Sequence, residues 1–421
     1  MNGSPRIGII GGGIGGVALA RSLDRKGIDY RIFEKSPAFG EVGAGVQMTP
    51  NAVKVLRALG LTADLERTGF LPEAMVGRSW DDASELFYTP LKATCPRLFG
   101  AAFYHIHRAD LHAMLAKDIA PSRTTFNATC TGVREGDDRA VATFATGETF
   151  EADLIVGADG VRSVVRDALW GPEPAHYTGH MCWRALVDVP EHPLPFASPD
   201  ASFWLGPKGH VVTYYVKGGK QLNVVAIAEN SDWVEESWSV KSTQKAVLDA
   251  YRGWHPNVVE VFRRVDPDGI YKWGLFDRDP MKRWSHAHTT LLGDAAHPML
   301  PFLSQGAAMA IEDGYVLAEA LAAFGDDIGA ALDVYEAERM PRTARVQLEA
   351  RDRGRTYHLS SPEELRKRNE AFKAEQARNP NAVGIKAEWV YQYDATTCRE
   401  RFPGRHAVAA TSMNAQQRNA P

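Results

Sequence analysis

A glycine-dense turn near the start limits what this chain can fold into. Gly11, Gly13 and Gly16 stand directly between a short apolar run, Ile7–Ile10, and a helical pattern, Val17–Lys26, that Gly27 closes. A second apolar run from Tyr30 to Phe33 ends at Glu34. Strand, glycine turn, helix and strand in that order predict a βαβ unit, and hence a parallel sheet covered by helices. Gly11 permits the tight turn, Gly13 lets backbone approach a pyrophosphate, and Gly16 lets the helix pack on the strand; Gly15 belongs to the same turn. Glu34 can accept hydrogen bonds from an adenosine ribose, and its charge disfavours a 2′-phosphate there. The pattern predicts a dinucleotide site that FAD and NAD fit equally well.

Composition narrows the classes. With 421 residues, 44% hydrophobic and 24% charged, the chain has enough apolar material for a sizeable core, and about 150 residues per domain implies two to three domains. Lys and Arg total 48 against 52 Asp and Glu, so no cationic field exists to hold a phosphate backbone, and nucleic acid is excluded as a partner. Arg366-Lys367-Arg368 lies among glutamates and reads as a solvated helix face. The four cysteines are scattered and form no metal-ligand spacing, which fits a reducing cytoplasm and no metal. No apolar run reaches the ~20 residues of a membrane span. Arg6 and the Ile7–Ala20 stretch imitate a secretory signal, but its glycines argue against one.

Further along, a loop from Gly40 to Gly45 precedes Thr49-Pro50-Asn51 and a helix to about Leu59. Short strands follow between Val76 and Leu91, then a helix through Leu111, Met114 and Leu115. From His176 to Trp273 the chain reads as an antiparallel meander of strands, Trp183–Val187, Ala201–Leu205, His210–Val216 and Leu222–Ala228. Helical patterns return after Gln305 and cover Thr356–Asn379, and the tail Thr411–Pro421 is expected to be mobile. The expected fold class is α/β: a Rossmann-like nucleotide domain (1–75, 101–175 and 274–350), an inserted antiparallel β-sheet domain (76–100 and 176–273), and C-terminal helices with a tail (351–421).

Two later motifs distinguish the cofactors. Leu154–Ser163 contains Gly157-Ala158-Asp159-Gly160, with Arg166 following; Leu291–Pro298 contains Gly293-Asp294-Ala295-Ala296-His297-Pro298, with Pro301 and Gln305-Gly306 beyond it. Asp294 follows an apolar strand on a loop leading into a helix, where a carboxylate can accept hydrogen bonds from a ribityl chain. The N–H groups opening that helix suit a reduced flavin, anionic around N1 and C2. The small residues Gly306 and Ala307 leave room for its ring. His297 reads equally well as a structural neighbour of the Asp294 loop.

Taken in order, these motifs resemble the single-component FAD-dependent aromatic hydroxylases over nearly the whole chain. The likeness extends through Gly40–Gln47, His107–His112 and Trp389–Tyr393, and is strongest towards members acting on salicylate, 6-hydroxynicotinate or 3-hydroxybenzoate. It implies bound FAD and a transient NAD(P)H, with Glu34 and Lys35 at the adenosine, Arg108 and Asp294 at the pyrophosphate and ribityl region, Asp159 in the second motif, and Ala307 beside the flavin. It also implies that a C4a-hydroperoxide of the flavin hydroxylates a small phenolic or hydroxypyridine carboxylate, in some members with loss of the carboxyl group. Gln47 and Pro301 occupy substrate positions, and their combination leans towards a salicylate-like ring.

On Gly206–Tyr215 the period of two puts His210, Val212 and Tyr214 on one face. The resemblance implies that His210 and Tyr214 meet the substrate hydroxyl. An arene attacks the activated oxygen efficiently only as a phenolate, so a base is required, and histidine near its ordinary pKa supplies one. Arg184 is a candidate partner for a carboxylate. Phe302, Leu303, Met299 and Trp204 are candidates for a dry wall. Two rival readings share the motifs: a flavoprotein that hydroxylates or epoxidises a larger polyketide-like or alkene substrate, and a non-catalytic dinucleotide-binding protein. The expected partners are a small aromatic substrate and O2, with the chain a monomer or homodimer.

Overall fold

The computed structural model describes residues 5–40, 44–230, 240–379 and 387–403. The expected tail Thr411–Pro421 and residues 41–43 of the second glycine loop lie outside the described residues. Ile7–Ile10 is fully buried at the centre of a five-stranded sheet. It pairs in parallel with Tyr30–Phe33 on one side and Leu154–Gly157 on the other, and Thr124–Thr125 and Thr289–Leu291 complete the edges, also in parallel. A strand buried on both faces needs the continuous apolar run seen here. Helix Ile14–Asp24 crosses over it and packs against the late helix Gly306–Phe324.

The second large element is an eight-stranded sheet in the order Val240–Lys241, Tyr271–Asp277, His176–Asp188, Gln221–Glu229, Gly209–Val216, Ala201–Gly206, Met75–Ser79, Glu85–Thr89. The expectation of a purely antiparallel meander is corrected in two ways. Ala201–Gly206 pairs in parallel with Met75–Ser79, because the early hairpin joins the insert from its own side. Two helices, Gln244–Ala250 and Pro256–Arg264, cover one face. Val258, Val261 and Phe262 give the second its apolar stripe.

Alternation sorts the side chains of this sheet. Trp183, Trp204, Val211 and Tyr215 pack beneath those two helices, whereas Cys182, Phe203, Leu205, Val212 and Tyr214 face the nucleotide sheet and the C-terminal helices. The long helix Ile328–Tyr357 runs unbroken through the boundary expected at residue 350. Helix Pro362–Arg378 follows, capped by Ser361. Arg366 and Lys367 are exposed, but Arg368 is buried and donates to the carbonyls of Tyr357 and Leu205, so the basic triplet is not a wholly solvated face.

Candidate active site

The nucleotide turn is shaped by close backbone approach. Gly11 has φ +106°, and a Cβ there would collide with the carbonyl of Ala158; a Cβ on Gly16 would collide with the carbonyl oxygen of Gly11. Glu34 accepts from the N–H of Gly12 at 2.7 Å and of Ser36 at 2.8 Å, so one carboxylate pins both the turn and the loop after the second strand. Lys35 is exposed beside it.

Between the two large sheets lies a cavity of about 260 Å³. Its nucleotide side is lined by Gly13, Gly15, Arg108, Asp294, Gly306 and Ala307. The late helix opens here. Its cap residue Gln305 is buried, donates to Thr49 Oγ1 and accepts from Asn51 Nδ2, both at 3.1 Å. The N–H groups of its first turn have no carbonyl partner within the helix. A Cβ added to Gly306 would meet nothing closer than Asp294 Oδ1 at 3.9 Å, so this position opens onto free space.

Beneath that turn sits a buried ion network. Arg339 meets Glu312 at 2.6 Å and Asp313 at 2.7 Å, Arg342 meets Glu312 at 2.9 Å, and His297 Nε2 lies 2.6 Å from Asp313. Burial pushes the Asp313 carboxyl up, but His297 and Arg339 outweigh it and hold it down at about 2. Asp313 also accepts from the N–H of Gly293, which ties the Gly293-Asp294 loop to the helix. His297 therefore buttresses this loop, and Asp294 is delivered to the cavity wall. The bare Gly306, the helix N-terminus and the glycine turn fit a flavin dinucleotide: Asp294 and Arg108 would hold its ribityl and pyrophosphate portion, and Gly306 and Ala307 its ring.

Asp159 is placed differently from the rest. Its carboxylate accepts from Ser163 Oγ at 2.6 Å and the Val165 N–H at 3.2 Å, capping helix Val164–Trp170. It stays out of the cavity lining and shapes the loop whose neighbours Ala158 and Gly160 do line it.

The opposite wall brings together Gln47, Arg184, His210, Tyr214 and Pro301, residues far apart in the chain. Arg184 shares the cavity face with Cys182 by alternation, its guanidinium 5.0 Å from the Trp273 ring centroid. Its Nε is buried and has no hydrogen-bond partner. Met299 and Phe302 line the cavity as expected, and Leu303 does not. Trp204 points to the other face of its strand and packs on His255, so Phe203 takes its place in the wall.

The expected ordinary pKa of His210 is also corrected. Burial, with smaller contributions from His180 and Arg368, pushes it down to about 3. Burial likewise pushes the Tyr214 hydroxyl up, leaving it neutral. Two neighbours went unforeseen. His358 Nε2 lies 2.8 Å from His210 Nδ1, and the His180 ring sits 4.4 Å from that of His358. His358 is 148 residues from His210 and caps a polar helix end, so no local pattern marks it.

Residues 5–350 match the profile of a family described as an FAD binding domain. Over 397 residues the chain is 38% identical to 3-amino-4-hydroxybenzoate 2-monooxygenase of Streptomyces platensis, covering 94% of this chain and 98% of that one. It is 36% identical to 6-hydroxynicotinate 3-monooxygenase of Pseudomonas fluorescens, covering 82% and 90%. A salicylate hydroxylase solved as a substrate complex superposes with a TM-score of 0.79 at 27% identity, covering 96% and 99%. The early glycine turn, the Gly-Asp loop and these likenesses over nearly the full length agree: the chain belongs to the FAD-dependent aromatic monooxygenases, with FAD as bound cofactor and NAD(P)H as reductant.

Proposed function

We propose that this monooxygenase hydroxylates a small phenolic or hydroxypyridine carboxylate, with a salicylate-like ring as the best fit. The observation that carries this reading is Arg184, a partly buried guanidinium in the cavity wall beside Cys182 and the Trp273 ring. A cation held in such a wall draws an anion, and a carboxylate matches a guanidinium best. When bound, FAD supplies the redox chemistry that activates O2. Tyr214 and His210 share one strand and both line the cavity, which supports a role for them at the ring hydroxyl. His210 Nε2 would take its proton, and Tyr214, neutral at working pH, would orient the oxygen. Phe203, Phe302 and Met299 would exclude water, which favours productive transfer of oxygen over its loss as peroxide.

Hydroxylated benzoates and hydroxypyridine carboxylates should stimulate NADH oxidation and yield hydroxylated product. If only uncarboxylated or multi-ring phenols do so, the assignment of the substrate class is wrong.

A further inference from the structure

We propose that His358 is the second member of a proton relay that carries the phenolic proton of the substrate from His210 out of the cavity. The inference rests on the phenolic reading above and adds the path that the proton takes. His210 starts the strand Gly209–Val216 and lines the cavity. Its Nδ1 shares a 2.8 Å hydrogen bond with His358 Nε2, the two rings lying 19° from parallel. His358 closes the long helix, and its second nitrogen, Nδ1, is buried with no hydrogen-bond partner. Against it packs the ring of His180, which is only half-buried, so water on that side is the acceptor that the relay would use. Phe302 and Tyr357 enclose the pair, and Arg368 is the cation packed nearby.

Neither imidazole is suited to keep a charge. Burial drives His358 down even more strongly than His210, with His210, His180 and Arg368 adding to it. A single histidine that had to store the phenolic proton as imidazolium would be a poor base here. Two histidines in series avoid the stored charge. At the start both carry their proton on Nδ1, and His210 donates to His358 Nε2. The phenol O–H bond then breaks and its proton goes to His210 Nε2. The Nδ1 proton of His210 passes to His358 Nε2, and the Nδ1 proton of His358 leaves to water on the His180 side. One proton has left the cavity, both rings are neutral again with reversed tautomers, and His210 Nε2–H donates to the phenolate. His210 meets the substrate; His358 positions it and acts through it.

The test mixes wild-type holoenzyme with 2-hydroxy-5-nitrobenzoate, whose phenolate absorbs at longer wavelength than its phenol, and follows ionisation by stopped flow. In mixtures of H2O and D2O the rate should fall along a curve bowed below the straight line, the signature of more than one proton in flight; a straight line overturns the relay. His358→Gln, which still accepts from His210 but cannot pass a proton, should bind FAD and the probe within about twofold of wild type while ionisation slows by about tenfold or more. His358→Ala should slow similarly and recover on addition of free imidazole. Wild-type ionisation rates in either variant overturn the relay and leave the substrate class standing. If wild type itself never ionises the probe or any phenol carboxylate, the phenolic reading fails, and the relay with it.

Discussion

The two walls of the cavity are made of different material. The nucleotide side is built from backbone: bare glycines at 11, 16 and 306 and the N–H groups of a helix start. The substrate side is built from side chains that alternate on a sheet, Arg184, Phe203, His210 and Tyr214. Where that backbone packs on itself, at Gly11 and Gly16, it allows almost no substitution, and it recognises what is common to every dinucleotide. A side-chain surface changes with each replacement and therefore sets which ring is accepted. Damage to the first should abolish cofactor binding, whereas damage to the second should alter selectivity in a protein that still holds FAD.

Gly16→Ala should have the largest effect. Its methyl group would run into a backbone oxygen that cannot move without opening the turn, at about 3 kcal/mol of overpacking. Purified protein should lack flavin absorbance and unfold at lower denaturant concentration; full flavin content would show that the turn yields after all. Arg184→Met comes next. It should keep FAD but raise KM for a phenolic carboxylate roughly 100-fold, in keeping with the ~1.5–3 kcal/mol of a charged hydrogen bond. KM for the matching carboxamide should hardly move. Equal losses for both would mean that Arg184 shapes the wall without reading the carboxylate.

At neutral pH the smallest effect is at His105, which shows how much stability the side-chain wall gives up in acid. His105 lies behind Tyr214, fully buried with neither ring nitrogen bonded. Burial pushes its pKa down to about 3, against about 6.5 in an unfolded chain. As pH falls from 6.5 towards 3 the unfolded state takes up a proton that the folded state refuses, so stability drops by up to about 1.4 kcal/mol per pH unit. His105→Phe should remove one proton from that slope in denaturant titrations between pH 6.5 and 4. An unchanged slope would place the acid sensitivity elsewhere, at buried imidazoles such as His210 and His358, which burial pushes down in the same way.

The same division explains what could be read before the fold was known. The turn at Gly11–Gly16, Glu34 and the Asp294–Ala307 stretch are contiguous, and short spacing conveys their geometry directly. Alternation on Gly209–Val216 correctly joined His210 to Tyr214, because register within one strand is local. The expectation that Trp204 joins the wall fails, because the face turned to the cavity depends on which partner covers each side of the sheet. Asp159 lay in a recognisable motif yet its carboxylate is spent on its own helix. His358, Arg368 and the unusual acidity of His210 come from the C-terminal helices folding back over the sheet, and no local spacing reports such contacts.

The Arg339 network fastens the floor of the cavity from below, through Glu312, Asp313 and the Gly293 N–H. Anchoring at that depth makes the redox half of the molecule indifferent to what happens on the facing strands. A lineage can exchange wall residues and retune the arene it accepts without rebuilding the machinery that handles electrons.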